Sequence, residues 1–220
     1  MEKVKSYFQK TSSEFDAIYS PDKNLIQKLL HQMFHRVIEQ RFEAAFREFG
    51  SFSGKSYLDV GCGSGRYLVE AAKRGASRIT GIDFSDNMLA IAGRYLKAAD
   101  FQGRLSLVNQ DFLAYHPDGG KHDYVTAIGY FDYISDPEEH LAKLKTAAKS
   151  KIIASFPKRW TVRTLLRKVR LGLMRCPVYF YDRRSIVRLL ANAGLGQAKI
   201  VSLSRDYLVV MDLNVTDGGK

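Results

Sequence analysis

The sequence predicts an α/β fold: a doubly wound sheet with helices on both faces and an N-terminal helical cap. Three observations predict it. Short apolar runs typical of strands alternate with segments of helical spacing. The first fifty residues have helical periodicity. A glycine-rich turn separates the first apolar run from the helical segment after it.

The composition is that of a folded protein with one main core. The chain has 220 residues, 45% of them hydrophobic and 26% charged, with a net charge of +11. These values exclude a wholly disordered, collagenous or disulfide-framework chain and favour anionic partners. Cys62 and Cys176 lack metal-ligand spacing, and residues 1–20 hold no apolar run. We therefore expect a cytoplasmic protein without a signal peptide or membrane span.

The cap is predicted over residues 1–50 and the core over 51–215. Buried strands are expected at 57–60, 78–82, 105–108, 124–128 and 152–156, with helices at 65–74, 86–96 and 137–149. A further helix should begin at the N-cap Asp182 and end at Gly194. Two final runs, 198–203 and 207–213, are predicted to form an antiparallel pair.

The glycine-rich turn predicts a ligand site. In the sequence LDVGCGSGR, Gly61, Gly63 and Gly65 let the main chain approach a nucleoside or amino-acid group closely. The dinucleotide fingerprint G-x-G-x-x-G requires a glycine where Arg66 stands. A dinucleotide ligand is therefore disfavoured.

Asp83 ends the second predicted strand, 18 residues after Gly65. A carboxylate at this strand tip can accept hydrogen bonds from both hydroxyl groups of a ribose. The alternative is that Asp83 is only the N-cap of the next helix. The coincidence of the glycine turn with this spacing favours the ribose role.

The successive motifs LDVGCGSG, GIDFS and NQDF resemble those of class I S-adenosylmethionine (SAM)-dependent methyltransferases of the small-molecule type. The resemblance covers residues 54–156. It implies a seven-stranded Rossmann-like sheet in the order 3-2-1-4-5-7-6, with strand 7 antiparallel. It also implies SAM as the cofactor, S-adenosylhomocysteine as the product and no metal.

The resemblance further implies which residues contact SAM. They follow the first four strands: Asp59, Gly61, Cys62, Gly63, Gly65, Asp83, Phe84, Met88, Asp111, Phe112 and Gly129. Asp59 and the glycine turn would hold the methionine part, Asp83 the ribose and Asp111 the adenine amino group. Gly129 would line the gap between methyl donor and acceptor.

Candidate acid–base groups follow the fourth strand, and they are Tyr130, Asp132, Tyr133 and Asp136, with His140 as the alternative. Many small-molecule members of the family have a Leu-Glu-His-Val run after the fourth strand. When this chain is aligned with that run through Asp136, Tyr133 stands at the position of the histidine. A histidine base at this position is therefore not expected. His140, one turn into the next helix, is the nearest histidine, and the alternative for it is a solvated surface position.

Aromatic residues of the N-terminal segment are candidates for substrate contact. Tyr7, Phe15 and Tyr19 resemble the helix that folds over SAM as a lid in many small-molecule methyltransferases. The alternative is that they only pack against the core.

A basic segment follows the fifth predicted strand. Residues 158–188 hold ten basic residues and one acidic residue, and 158–178 are predicted to be a basic helical insertion. Its candidate contacts are Trp160, Arg163, Arg167 and Arg170. The segment is open to three interpretations: a solvated face over a core-packing helix, a lid or membrane-surface helix for a lipophilic or acidic small molecule, or a phosphate-binding surface for RNA.

The sequence thus predicts a SAM-dependent methyltransferase that methylates a small molecule, preferentially on oxygen. The expected location is the cytoplasm, with peripheral membrane contact through the basic helix. The second hypothesis is an RNA methyltransferase that uses residues 158–188, disfavoured because no Asn/Asp-Pro-Pro-Tyr-type motif follows strand four. The third is a SAM-binding regulatory protein without turnover.

Overall fold

A computed structural model describes residues 25–117, 119–159 and 177–214, with the side chains of the first helix from residue 37 onward. Outside these residues lie the predicted lid and insertion contacts, which are Tyr7, Phe15, Tyr19, Trp160, Arg163, Arg167 and Arg170. Their expected roles stay predictions.

Helices and strands alternate along the described residues. The helices are α1 (Leu25–Glu48), α2 (Arg66–Lys73), α3 (Asp86–Ala98), α4 (Pro137–Ala147) and α5 (Arg183–Asn192). The strands are β1 (Ser56–Val60), β2 (Arg78–Asp83), β3 (Arg104–Asn109), β4 (His122–Ala127), β5 (Ala148–Pro157), β6 (Lys199–Ser202) and β7 (Asp206–Asp212). None of the five helices just named is long and apolar enough to cross a lipid bilayer.

The seven strands form one sheet in the order β3-β2-β1-β4-β5-β7-β6. Strands from β3 to β5 pair in parallel, whereas β7 is antiparallel to both β5 and β6. The predicted strand order and the antiparallel strand 7 are therefore confirmed. Because the carboxyl ends of the parallel strands lie at one edge, the loops that follow them meet there.

Apolar side chains pack into two cores, one on each face of the sheet. In β1, Leu58 and Val60 belong to one core and Tyr57 to the other. Residues of α4 and α5 complete the first core, and Phe46 of α1 joins residues of α2 and α3 in the second. This arrangement confirms that the sheet is doubly wound.

The prediction of five buried strands was wrong for β3. The residues of β3 are exposed or half-buried, and Leu105 is 40% exposed. The strand lies at the edge of the sheet and therefore has a neighbour on one side only. Within the described residues between β3 and β4, the helical structure is a single 3₁₀ turn, Phe112–Ala114, too short to cover the strand.

The start of β5 differs from its predicted position, whereas the two ends of α5 agree with the prediction. β5 begins at Ala148 rather than 152, because Ala148 already pairs with His122 of β4 and Lys151 pairs with Tyr124 after a shift in register. At α5 the prediction is confirmed: the Ser185 amide donates to Asp182 at 2.8 Å, in a capping box. Gly194, with φ of +64°, follows the helix.

The C-terminal half of α1 packs against α2, the helix that follows the glycine turn. Arg66 of α2 donates to Glu39 at 2.7 Å, and its guanidinium lies 4.4 Å from the ring centre of Phe42. The ring of Phe46 stacks on that of Tyr67 at 5.7 Å. These contacts fix α1 beside the carboxyl edge of the sheet.

Candidate functional site

The glycine turn lies between β1 and α2, as predicted. Gly61, Gly63 and Gly65 have φ values of +72°, +51° and +82°, in the region that disfavours side chains. The tightest constraint is at Gly65, where a Cβ atom would lie 2.7 Å from the Cβ of Ala92 in α3. Glycine therefore allows both the sharp turn and the close packing of α3 behind it.

Hydrogen bonds within the protein fix the shape of this turn. The amides of Gly61 and Cys62 donate to the Ile82 carbonyl at 2.8 and 3.0 Å, and the Gly65 amide donates to the Cys62 carbonyl at 3.0 Å. These amides donate within the protein and are not available to a phosphate. This agrees with the prediction that disfavours a dinucleotide ligand. The side chains of Cys62 and Ile82 are buried in the core, so Cys62 offers a ligand only its main chain.

Asp83 connects the tips of β1 and β2. One carboxylate oxygen accepts from the Gly63 amide and the other from the Ser85 amide, both at 2.9 Å. Burial raises the pKa of Asp83, while these backbone hydrogen bonds lower it. The N-cap of α3 is Ser85 rather than Asp83, because the Ser85 hydroxyl accepts from the Met88 amide. The capping alternative for Asp83 is therefore wrong, and its carboxylate lies against the glycine turn.

The third strand contributes Asp111, two residues beyond Asn109, which pairs in register with Asp83. Asp111 is exposed, and one of its oxygens accepts from the Leu113 amide at 2.9 Å. Phe112 beside it is buried in the core. Asp111 and Phe112, the predicted adenine contacts, thus follow β3, which pairs with the strand that ends at Asp83.

The predicted apolar contacts differ in exposure. Phe84, directly after Asp83, is half-buried, whereas Met88 on the first turn of α3 is 6% exposed. A ligand can therefore reach Phe84 more readily than Met88.

Asp59 lies inside the sheet at the end of β1. It accepts a hydrogen bond of 2.7 Å from the Thr126 hydroxyl, which lies 2.6 Å from the Tyr57 hydroxyl. Because Thr126 donates to Asp59, Tyr57 donates to Thr126. Burial raises the pKa of Asp59 from 3.8 to about 7, with a further contribution from Asp83. A cation bound nearby would favour the ionised form of Asp59.

Gly129 and Tyr130 follow β4 and lie beside the glycine turn. The Gly129 amide donates to the Ser155 hydroxyl of β5 at 2.8 Å. The ring of Tyr130 packs so closely on Gly61 that a Cβ there would lie 3.0 Å from it. Burial raises the pKa of Tyr130, as do the negative charges of Asp111 and Asp83. The phenol therefore stays protonated and is better suited to donate a hydrogen bond than to act as a base.

His140 is buried, contrary to the solvated alternative. It is 5% exposed, and its ring centre lies 5.6 Å from that of Tyr130. Nδ1 is 2.9 Å from the carbonyl oxygen of Asp136. A carbonyl only accepts, so Nδ1 carries the hydrogen and Nε2 has the free lone pair in the neutral ring. Both His140 Nε2 and the Tyr130 hydroxyl are buried without a hydrogen-bond partner among the described residues.

Sequence reasoning missed a group of charges beside Gly129. Arg41 of α1 forms an ion pair with Asp206 of β7, and its other terminal nitrogen lies 3.4 Å from where a Gly129 Cβ would be. Although burial by itself lowers the pKa of Arg41, the charges of Asp132 and Asp206 raise it overall. Tyr133 ends the 3₁₀ turn Phe131–Tyr133 and is half-buried.

These residues lie at the carboxyl edge of the sheet, from the glycine turn after β1 to the loop after β4. Within the described part of the chain, no group of His, Cys, Asp and Glu side chains is arranged to hold a metal ion. The strand order, the glycine turn and the carboxylate at the β2 tip define the class I methyltransferase fold.

A match to a family model supports this assignment. Residues 58–151 match the model described as "Methyltransferase domain". Over these residues the chain is therefore similar to methyltransferase domains, and its strand order is that of the class I fold.

Two curated relatives show the range of acceptors among similar proteins. The chain is 35% identical over 91 residues to the ubiquinone biosynthesis O-methyltransferase of Thiobacillus denitrificans, covering 41% of the chain and 38% of the relative. It is 35% identical over 96 residues to human EEF1A lysine methyltransferase 2, covering 43% of the chain and 40% of the relative. The chain thus matches about two fifths of the length of these relatives.

A solved structure matches over nearly the whole chain. Magnesium protoporphyrin IX methyltransferase from Synechocystis PCC 6803, crystallised with bound SAH, superimposes with a TM-score of 0.73 at 21% identity. The match covers 95% of this chain and 97% of that protein. At this identity the likeness establishes the fold.

Proposed function

We propose that this protein binds SAM and transfers its methyl group to a small-molecule acceptor, preferentially to an oxygen atom. The observation that carries the proposal is the position of the Asp83 carboxylate, bonded to the Gly63 amide at the tips of β1 and β2. Asp111 lies beyond the adjacent strand. Since neighbouring strands are about 4.8 Å apart, the three strand tips span about 10 Å, comparable to a nucleoside.

The described residues suit each part of SAM. The two oxygens of Asp83 offer about four lone-pair sites and accept backbone hydrogen bonds from Gly63, Ser85 and Phe84, which leaves acceptor capacity for a ribose hydroxyl group. Asp59 is a buried carboxyl group whose ionised form would be favoured by the ligand's ammonium or sulfonium charge. The Tyr130 hydroxyl would donate to a ligand acceptor in the same cleft. SAM would supply the electrophilic methyl group.

We propose His140 as the base that takes a proton from the acceptor. Its Nε2 is a buried lone pair, oriented by the Nδ1 contact to the Asp136 carbonyl. An oxygen acceptor requires loss of a proton during methyl transfer, and a positioned imidazole can accept it. The protein would otherwise act by holding donor and acceptor in line and by excluding water.

The name of the Thiobacillus denitrificans relative supports an oxygen acceptor, and the magnesium protoporphyrin IX enzyme supports a small molecule. The human relative is named as a lysine methyltransferase, so a protein acceptor is a distinct outcome of the test. We further propose a cytoplasmic enzyme whose basic segment contacts a lipophilic or acidic substrate, or the membrane surface that holds it. This part rests on the charge of residues 158–188.

The test combines SAM binding with transfer of label from methyl-labelled SAM to an extract of the source organism. Asp83→Ala should weaken SAM binding roughly tenfold to a hundredfold, as expected for the loss of hydrogen bonds to a charged acceptor. Asp86→Ala is the matched control, because Asp86 is an exposed carboxylate three residues away. It should bind SAM like the parent protein.

The fraction that takes up the label identifies the acceptor class. Label in the organic-extractable fraction supports the proposal, whereas nuclease-sensitive label indicates an RNA methyltransferase and protease-sensitive label a protein methyltransferase. SAM binding without label in any fraction indicates the regulatory alternative. Equal SAM affinity of the Asp83→Ala and Asp86→Ala variants would refute the ribose role of Asp83.

A further inference from the structure

A second candidate site lies along the edge strand β3, with its basic end near the start of β2, β3 and β4. It is a cavity of about 240 Å³ on the uncovered side of the edge strand. The polar and charged residues that line its basic end are Arg78, Thr80, Arg104, Ser106 and His122. Arg78 and His122 begin their strands, whereas the proposed SAM contacts follow the other ends of the strands. The cavity continues along β3 to Gln110, which precedes Asp111, so its basic end is the part that is distant from the proposed SAM contacts.

Two positive charges that have no acidic partner among the described lining residues adjoin this cavity. Arg78 and Arg104 are paired directly across β2 and β3. Like charges at such positions repel each other, which destabilises a sheet unless a counterion is present. No Asp or Glu is found among the cavity-lining residues of the described chain. The cavity therefore favours an anion.

One of the two arginines is held in a fixed orientation. The guanidinium of Arg78 donates to the carbonyls of Gly119, Gly120 and Lys121 at 2.6, 3.2 and 2.9 Å. Carbonyl groups orient the guanidinium without neutralising its charge. Arg104 is exposed and makes no ion pair within the described residues, so its charge remains available to a ligand.

His122 supplies a buried hydrogen-bonding group that lacks a partner. It is 1% exposed, and Nε2 lies 3.0 Å from the Thr80 hydroxyl. Its Nδ1 is buried with no hydrogen-bond partner among the described residues. A buried polar atom in this state costs free energy unless a ligand or water satisfies it. His122 lines the cavity, so a small shift of its buried ring toward an occupant would provide the missing hydrogen bond.

We propose that this cavity binds a phosphate group, with Arg78 and Arg104 supplying charge and His122 a hydrogen bond. The phosphate could be free inorganic phosphate or part of a phosphate monoester. An engineered cavity of about 150 Å³ holds benzene, so 240 Å³ has room for a phosphate that carries a small organic group. The size favours the monoester.

The charge state of His122 provides a direct readout of occupancy. Burial lowers the pKa of His122 to about 4, with further lowering by Arg78 and Lys149 and an opposing effect of Asp123. His116 is a second titratable group at the cavity. A bound anion would favour the imidazolium form. Saturating phosphate should therefore raise the pKa of His122, measured from its imidazole resonances by NMR.

The binding test is calorimetric titration of the full chain at low ionic strength with inorganic phosphate and, separately, with phenyl phosphate. Arg104→Gln should weaken binding at least tenfold, and because Arg104 is exposed the variant should fold normally. Arg94→Gln is the control, since Arg94 is an exposed arginine on α3, away from the cavity. It should leave the affinity unchanged.

Tighter binding of phenyl phosphate identifies a monoester as the ligand, and equal binding identifies the phosphate group alone. The proposal is overturned if neither probe binds saturably at millimolar concentration, or if Arg94→Gln weakens binding as much as Arg104→Gln. It is also overturned if SAM displaces the phosphate competitively, because the anion would then occupy the SAM cleft. A pKa of His122 that does not respond to bound phosphate excludes the participation of His122.

Discussion

Arg41 and Asp206 form a two-point ion pair between residues 165 positions apart in the sequence. Arg41 donates from Nε at 2.6 Å and from a terminal nitrogen at 2.5 Å to the two oxygens of Asp206, whose side chain is completely buried. The pair attaches α1 to β7. Loss of one partner leaves a buried charge uncompensated, so Arg41→Met should lower the free energy of unfolding by about 3 to 5 kcal/mol. Urea denaturation measures this loss.

The coupling between the two residues can be isolated in a double-mutant cycle. Arg41→Met combined with Asp206→Asn should cost less than the sum of the single variants, because the double variant no longer contains a buried Asp206 carboxylate without its counterion. Additive losses would contradict direct pairing. Arg47→Met is the control, since Arg47 forms an exposed pair with Glu43 at 3.0 Å and should change stability by less than about 1 kcal/mol.

Asp59 should make stability depend on pH. Its folded-state pKa of about 7 lies above the ordinary value of 3.8, so its contribution to stability is full below pH 4 and is lost as pH rises through 7. Asp59→Asn removes the buried charge. Relative to the parent, this variant should therefore gain up to about 4 kcal/mol between pH 4 and pH 8, from about 1.36 kcal/mol per pKa unit.

Denaturation curves at several pH values provide this comparison. Asp86→Asn, at an exposed carboxylate, should follow the parent protein at each pH. If the parent and Asp59→Asn have the same pH dependence, Asp59 does not titrate near neutrality.

Gly81 should lose stability when even a methyl group is added. A Cβ there would lie 2.6 Å from Leu68 Cδ1 and 2.9 Å from Cys62 Sγ, behind the glycine turn. Gly81→Ala should therefore cost about 1 to 3 kcal/mol of stability by overpacking and weaken SAM binding by shifting Cys62. Gly196→Ala is the matched control, because no atom lies within 4 Å of the added Cβ. Thermal unfolding and SAM titration that do not distinguish the two variants would contradict this packing.

His140→Gln should separate catalysis from cofactor binding. If His140 is the base, this variant should lose about a hundredfold or more in kcat, with the Kd for SAM unchanged. Tyr130→Phe removes a donor rather than a base, so it should weaken SAM binding with a smaller effect on kcat. A His140→Gln variant that keeps the parent kcat would assign the proton transfer to another residue.

Local signals allowed most of the fold to be predicted. The capping box at Asp182 and the glycine turn depend on residues close in sequence, and both lie where expected. Asp83 was placed correctly at the tip of β2, because a strand end and the start of the next helix bracket it. Strand order required the family resemblance, since apolar runs do not specify which strands are neighbours.

Features that depend on distant residues could not be predicted in this way. The apolar residues of β3 predict a buried strand. Its exposure follows from its position at the edge of the sheet and from the lack of a covering α-helix in the described β3–β4 connection. The position of His140 on a helix favours a surface residue, yet the loop after β4 buries it beside Tyr130. Arg41 gave no signal, because its partner Asp206 belongs to the last strand.

The position of β7 also has a consequence for biosynthesis. Among the described strands this one is the last to emerge from the ribosome, yet it pairs with β5 on one side and β6 on the other. Until Asp212 has emerged, a nascent chain presents one unpaired edge of β5, and Arg41 lacks its counterion for as long as Asp206 is missing. Domains usually fold from the N-terminal side during synthesis. Here the sheet closes only after translation has passed residue 212.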